Sequence, residues 1–320
     1  MWLLKVAVSA GLLYALFTRM DAGHLWQLIR AASLPWTIVA LALYLSVLLI
    51  STWRWRVFLD AQHVRVPFRT LTNSYLVATF ANNFLPSNIG GDVIRIRDTA
   101  RAAGSKTLAT AIVLADRGVG ILGLAFVAAC GSTLAARRST ALGPLGPSLL
   151  WTGLFVALAL GVFVLAWPHR FGAMARPLRV FHADWVDQRI ALITGALRRF
   201  RQSPGAMLAG LLSSIVVQAT LVAFYAAVAV AIHLTVPIQH LAILIPVASI
   251  VQMVPLSVNG LGVREATFGV YLSSIGVPLE SAIALSFLGA ALVMLFSMSG
   301  AAAYIARRQA ISAEPASDGM

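Results

Sequence analysis

A chain of 320 residues that is 59% hydrophobic and 11% charged lacks the polar surface of a soluble domain, where about a quarter of residues carry charge. Its mean hydropathy of +0.85 places most of it in lipid and excludes a disordered chain, and its one cysteine, Cys130, excludes a disulfide scaffold. The net charge of +13 is therefore read as topology-setting and lipid-facing, and no nucleic-acid partner is expected.

Stretches near 2–18, 34–53, 107–132, 148–167, 206–232 and 281–306 are apolar and close to the length that spans a bilayer. No small-residue cleavage site follows the first, so it reads as an uncleaved helix rather than a signal peptide. Two further stretches, 71–90 and 240–278, are apolar but broken. The first ends in Asn82-Asn83-Phe84-Leu85-Pro86-Ser87-Asn88-Ile89-Gly90-Gly91. The second is interrupted by Pro246 and by Pro255-Leu256-Ser257-Val258-Asn259-Gly260-Leu261-Gly262. Non-helical backbone at membrane depth survives only inside protein or beside a wet cavity. The fold expected is an all-α polytopic membrane protein with about six spanning helices and two re-entrant or broken elements.

The basic residues orient this arrangement. With the N-terminus inside, Lys5, Arg54, Arg56, Arg65, Arg69, Arg95, Arg97, Arg101, Lys106, the seven arginines from Arg170 to Arg201, Arg307 and Arg308 fall inside, eighteen in all. Arg19, Arg30, Arg137 and Arg138 fall outside, and Arg117 and Arg264 lie at membrane depth. That asymmetry puts both termini in the cytoplasm. Within a basic loop at 168–205, Val186, Ile190, Ile193 and Leu197 recur at helical spacing, as in an amphipathic helix on the inner surface. Residues 1–309 form one transmembrane domain, and 310–320 read as a disordered tail.

The two breaks resemble each other. Pro86, Asn88, Gly90, Gly91, Asp92 and Arg95 are echoed by Pro255, Asn259, Gly260, Gly262, Arg264 and Glu265. In the orientation above, the first enters from the inside and the second from the outside. That is the pattern of inverted repeats with a midplane binding site. The prolines and glycines would act as hinges or breaks.

Charge at membrane depth costs roughly 2.5–3.5 kcal/mol on insertion scales, so it usually has a partner or a function. Asp116-Arg117 lies inside the 107–132 segment, and Arg264-Glu265 and Asp92 with Arg95 follow the two breaks. Side chains of adjacent helical residues diverge, so each charge is expected to face another element rather than its neighbour. One reading is cross-helix ion pairing that fixes the fold. The other is an anionic headgroup site, in which Arg95, Arg117 and Arg264 hold a phosphate by their planar forks. In that reading Asp92, Asp116 and Glu265 pair with the arginines of the empty site. Helix N-termini at the glycine breaks would add donors. Asn82, Asn83, Asn88 and Asn259 either satisfy freed backbone groups or touch the headgroup.

No catalytic signature accompanies these residues. Gly104-Ser105-Lys106-Thr107 lacks the spacing of a phosphate-binding loop, and no nucleophile elbow occurs. The histidines are scattered, so no metal site is expected. No cofactor and no enzymatic activity are expected.

The run Asn83-x-x-Pro86-x-x-x-Gly90-Gly91-Asp92-x-x-Arg95, the Asp116-Arg117 pair, and Pro255, Gly260, Gly262 with Arg264-Glu265 resemble the signatures of the lysylphosphatidylglycerol synthase transmembrane, flippase-like family. The resemblance spans about 5–308. It implies a polytopic bacterial inner-membrane protein of the cell envelope, associated with lipid translocation. Larger relatives fuse this region to a cytosolic aminoacyltransferase domain. That domain is not in this sequence, so aminoacyl-lipid synthesis is not expected of it. The expected partner is an anionic or phosphate-bearing lipid, either a phospholipid or a polyprenyl-phosphate carrier. A non-transporting accessory subunit of a glycosyltransferase or cell-envelope lipid pathway is the alternative. There the 168–205 loop would dock a cytosolic glycosyltransferase or lipid-modifying enzyme. An integral-membrane enzyme acting on lipid-linked phosphate has the least support.

Overall fold

The structure is a computed structural model that describes residues 11, 18, 22–84, 90–136, 145–170, 183–253 and 260–313. The first apolar stretch, 2–18, lies largely outside the described residues. So do Pro86, Asn88, Pro255 and Asn259.

The described secondary structure is helical throughout. A short helix α1 (Ala22–Arg30) precedes α2 (Leu34–Asp60), α3 (Phe68–Phe84), α4 (Gly90–Ala100), α5 (Lys106–Ala136) and α6 (Leu145–Ala166). Then follow α7 (Ala183–Gln202), α8 (Pro204–Ala231), α9 (Ile238–Met253), α10 (Val263–Ser274) and α11 (Leu279–Ala313). Among the described residues, α2, α5, α6, α8 and α11 are long and apolar enough to cross a membrane. They match five of the six expected spans. The structure is that of an all-α polytopic membrane protein. Leu149, Phe155, Val156, Leu160, Val162 and Phe163 on α6 are exposed, as a lipid-facing helix requires.

Both broken stretches fold as antiparallel helical hairpins. On α3 and α4, the Gly91 N–H donates to Asn82 at 2.7 Å and the Ser74 hydroxyl donates to Asp98 at 2.7 Å. One position rises along the chain as the other falls. On α9 and α10, Gly260 lies against Gln252 and His240 meets Tyr271 at 3.2 Å, in the same reversed register. The four helices have 17, 11, 16 and 12 residues. At about 1.5 Å per residue the short arms reach only about half of a roughly 30 Å hydrocarbon core. Each broken stretch is therefore a hairpin whose shorter arm cannot cross the core by itself.

The two hairpins belong to a larger repeat. The helices α2, α3, α4 and α5 have 27, 17, 11 and 31 residues, and α8, α9, α10 and α11 have 28, 16, 12 and 35. The turns that open the two hairpins are also alike. His63-Val64-Arg65-Val66-Pro67 and His233-Leu234-Thr235-Val236-Pro237 each start with a histidine in the left-handed region, at φ 61 and φ 57. In each, the next residue's N–H reaches back to the preceding helix, Val64 to Leu59 and Leu234 to Ala229, both at 2.9 Å.

The relation between the repeats is a twofold rotation, visible in their partners. The shift that carries His63 to His233 also carries Tyr44 to Ser214 and Arg54 to Phe224. Arg54 bonds Ser214 at 2.7 Å, and the Tyr44 ring packs at a tilt against Phe224 with centroids 5.7 Å apart. The helices α2 and α8 thus exchange equivalent partners and run antiparallel, from Ser33 beside Ala231 to Phe58 against Gly210. Equivalent helices that cross in opposite senses make the repeat inverted. The exchange continues outward, with α5 packed on α9 and α11 packed on α3.

Close approach of backbones holds the bundle, since lipid supplies no hydrophobic drive between helices. A Cβ on Gly123 would fall 2.7 Å from Ser214, and one on Gly131 would fall 2.8 Å from Ala242. One apolar cluster centres on Phe224, Leu244, Phe268 and Leu285 in the second repeat. Another joins Trp55, Phe58, Ile112 and Phe200, and includes α7.

The helix α7 lies within the basic loop as expected, with Val186 and Ala196 buried. Two boundaries differ from the sequence reading. The helix α2 runs past 53 to Asp60, because no proline or glycine interrupts Trp53-Arg54-Trp55-Arg56. And α11 runs to Ala313, beyond the expected boundary at 309.

Candidate functional site

The tip of the first hairpin creates the site. Asn82, near the end of α3, accepts the Gly91 N–H at the start of α4. Gly91 must be glycine for the arms to meet, since a Cβ there would lie 2.6 Å from the Ala78 carbonyl. The closure aims Asp92 and Arg95, both buried, at α5. There Asp116 is clamped from two sides. Arg95 donates to Oδ2 at 2.8 Å and Arg54 donates from Nε to Oδ1 at 2.7 Å. The other end of Arg54 reaches Ser214 on α8, so one side chain links α2, α5 and α8.

The guanidinium of Arg95 also lies over the ring of Trp55 at 4.4 Å and that of Tyr75 at 5.0 Å. Such stacking stabilises a desolvated cation. Arg117, the next residue on α5, turns away from Asp116 and pairs with Asp92. Its side chain keeps 37% exposure, against 6% for Arg95 and 2% for Asp116. The adjacent pair Asp116-Arg117 therefore behaves as expected, with each charge facing another element.

Arg264-Glu265 does not. Arg264 donates to Glu265 from Nη2 at 2.7 Å and from Nε at 3.0 Å. These residues lie in the first turn of α10, where Glu265 bends back to accept the Gly262 N–H at 2.6 Å. Bending brings the carboxylate within reach of its neighbour's long side chain. Ser286 on α11 donates to the same carboxylate oxygen at 3.2 Å. The shift between repeats carries Asp116 to Ser286, so the second half-site is built on the same frame with its charges rearranged. Gly260 and Gly262 sit at φ 74 and φ 83, where glycine is favoured.

The helix N-termini at the breaks are less available than expected. The Gly91 N–H is taken by Asn82, and the Gly262 N–H by Glu265. Asn82 thus repairs backbone, the first of its two expected roles.

Three cavities meet around these residues. The largest, about 550 Å³, has walls of Arg54, Asp92, Arg95, Asp116 and Arg117 from the first repeat and Gln218, Ser249 and Gln252 from the second. A second, about 200 Å³, holds Arg264 and shares Ser249 and Gln252 with the first. A third, about 220 Å³, contains Tyr44, Asn82 and Asn83, and touches both. Arg95 and Arg117 thus converge on one chamber, while Arg264 lies in the adjoining one.

Arg54 is the residue that sequence reasoning missed. Its position just past the apolar stretch 34–53 assigns it to an inner loop, but it is buried in α2 with a side chain 7% exposed. Arg95, counted with the same loops, is buried as well. The signal available for Arg54 was the unbroken helical run around it and the need of buried Asp116 for a partner.

Among the described residues, the large chamber is walled by three arginines and two carboxylates, an excess of one positive charge. Two buried polar atoms beside it, Arg95 Nε and Gln218 Oε1, have no hydrogen-bond partner there. No group of His, Cys, Asp and Glu suited to a metal occurs among the described residues.

An inverted repeat of long apolar helices and broken hairpins, with a polar, cationic chamber where the repeats meet, defines a polytopic all-α membrane protein. The chain belongs to the lysylphosphatidylglycerol synthase TM region family, which matches residues 2–300. Comparison with curated proteins and with solved structures returned no match. It is accordingly a membrane protein of a lipid-related family.

Proposed function

We propose that the chain is a lipid transporter of the bacterial inner membrane, with cytoplasmic termini and no enzymatic activity, that moves a phosphate-headgroup amphiphile between leaflets. The carrying observation is the excess arginine in the chamber between the repeats. A single phosphate monoanion or diester would balance it. Asp116 is held by two arginines, so it serves as a fixed counter-ion for Arg54 and Arg95. Arg117 is the more exposed partner of its pair and is the group that exchanges Asp92 for the headgroup. Its planar fork suits phosphate oxygens, where a lysine would offer only a point charge. Rocking of one repeat against the other then presents the headgroup from the Arg117 chamber to the Arg264 chamber through the wall of Ser249 and Gln252.

The accessory-subunit reading draws less support. Its docking surface was the basic loop, but Arg189 bonds Thr107, Arg199 bonds Gln62 and Arg201 bonds the Ala166 carbonyl. Those arginines brace α7 against the bundle. Native mass spectrometry of the detergent-purified chain tests the transport site. A co-purifying phosphate lipid that is lost in Arg117→Ala supports it. An unchanged lipid complement in a folded Arg117→Ala variant contradicts it.

A further inference from the structure

One buried side chain in the chamber wall keeps an unpaired acceptor. Gln218 lies on α8 with 9% exposure, and its Oε1 has no hydrogen-bond partner among the described residues. It lines the large chamber from the second repeat. A buried amide left unpaired weakens a bundle, so its presence calls for a reason. The frame does not demand it. The shift between repeats carries Leu48 to Gln218, and Leu48 is buried as well. The second repeat thus places an amide where the first places an apolar side chain.

Other groups in the same wall also offer acceptors. Ser249 on α9 donates to the Ile245 carbonyl at 2.8 Å, and Thr79, its equivalent on α3, donates to the Tyr75 carbonyl at 2.9 Å. Both hydroxyl hydrogens are spent within their own helices, so each oxygen offers the chamber only lone pairs. The arginines of the chamber offer only donors, and Arg95 Nε is buried without a partner among the described residues. Gln218 stands one turn beyond Ser214, the residue that accepts from Arg54. Its backbone lies about 6 Å along α8 from that contact.

A ligand that matches this wall accepts at one end and donates a few atoms away. At about 550 Å³ the chamber takes a whole headgroup rather than a bare phosphate. A hydroxyl donates to the amide oxygen and accepts from the amide nitrogen, so it suits both ends of a glutamine amide, whereas an ammonium only donates. We propose that Gln218 reads a hydroxyl on the headgroup, and that the substrate is a lipid phosphodiester carrying a polyol or sugar beyond the phosphate. The inference rests on the transport reading and deepens it. The arginines hold the phosphate, and Gln218, with Ser249 and Thr79 in the same wall, selects the group attached to it.

The test is native mass spectrometry of the full chain in mild detergent, supplied with equal amounts of phosphatidylglycerol and phosphatidylethanol. Both are anionic phosphodiesters, and only the first has headgroup hydroxyls. The lipid that counts is the one lost in Arg117→Ala. In wild type it should be phosphatidylglycerol by roughly tenfold, the scale of one buried hydrogen bond. Gln218→Leu, which copies the first repeat, should bind the two lipids equally and melt no lower than wild type. Equal binding of the two lipids by wild type overturns the inference, as does a Gln218→Leu variant that keeps the preference. So does a variant that melts well below wild type, since the amide would then hold the bundle. Phosphatidylethanolamine that displaces phosphatidylglycerol at equal amounts would assign the donor to an ammonium and overturn the hydroxyl. Failure of the transport reading is a different result, in which Arg117→Ala loses no lipid.

Discussion

Arg54 and Asp116 meet at 2.7 Å inside the bundle, with side chains 7% and 2% exposed. The bond joins the first spanning helix of the first repeat to the last, and Arg54 continues to Ser214 in the second repeat. It is the point where the fold and the charged chamber depend on each other.

Removing one member of a buried pair leaves the other charge unmatched, at about 3–5 kcal/mol. Arg54→Ala and Asp116→Ala should therefore melt well below wild type in detergent. Asp116 holds two arginines, so its loss should be the more severe. Thermal unfolding followed by size-exclusion fluorescence reads both. A melting temperature within a degree or two of wild type for Asp116→Ala would refute the clamp.

Gly91→Ala should open the tip of the first hairpin. Its Cβ would collide with the Ala78 carbonyl and with Asn82, both at 2.6 Å. A cost of about 1–3 kcal/mol is expected for such overpacking. Gly118→Ala, where nothing lies within 4 Å, is the control and should be silent. Equal melting temperatures for the two variants would contradict the hairpin geometry.

The inverted repeat predicts sidedness. The turns at His63 and His233 are equivalent but should lie on opposite membrane faces. In a Cys130→Ser background, Arg65→Cys should react with an impermeant maleimide only from the cytoplasm, and Thr235→Cys only from outside. Labelling of both from one face would exclude the inversion.

Much of this was legible in the sequence. Five of the expected spans, both broken elements and the echo between Pro86–Arg95 and Pro255–Glu265 follow from apolar run length and from glycine and proline placement. The stronger echo at His63–Pro67 and His233–Pro237 was also present in the letters. A histidine does not advertise a left-handed backbone, so its meaning emerged only from the φ angles. Arg54 was hidden for another reason. Hydropathy ends a span at its first charge, whereas a helix ends only where its backbone is broken. The bond between Arg264 and Glu265 was missed because ideal helical directions ignore how a first-turn carboxylate bends back to its own backbone.

The separation of roles among the arginines is the next prediction. Arg117→Ala should lower the melting temperature less than Arg54→Ala does, since the Arg117 side chain is 37% exposed and the Asp92 it leaves behind keeps Arg95 at 3.8 Å. It should still reduce headgroup binding. Arg117→Lys should keep the charge but recover binding only in part, since the bidentate fork is lost. Full binding by Arg117→Ala would move the headgroup contact elsewhere.

The most direct measurement is transbilayer movement of a fluorescent phosphatidylglycerol in proteoliposomes, with wild type and Arg117→Ala reconstituted to equal density. The account predicts protein-dependent movement that falls at least tenfold in Arg117→Ala while the variant stays folded. Equal movement by the two proteins would contradict the claim that the arginine chamber between the repeats carries the lipid headgroup.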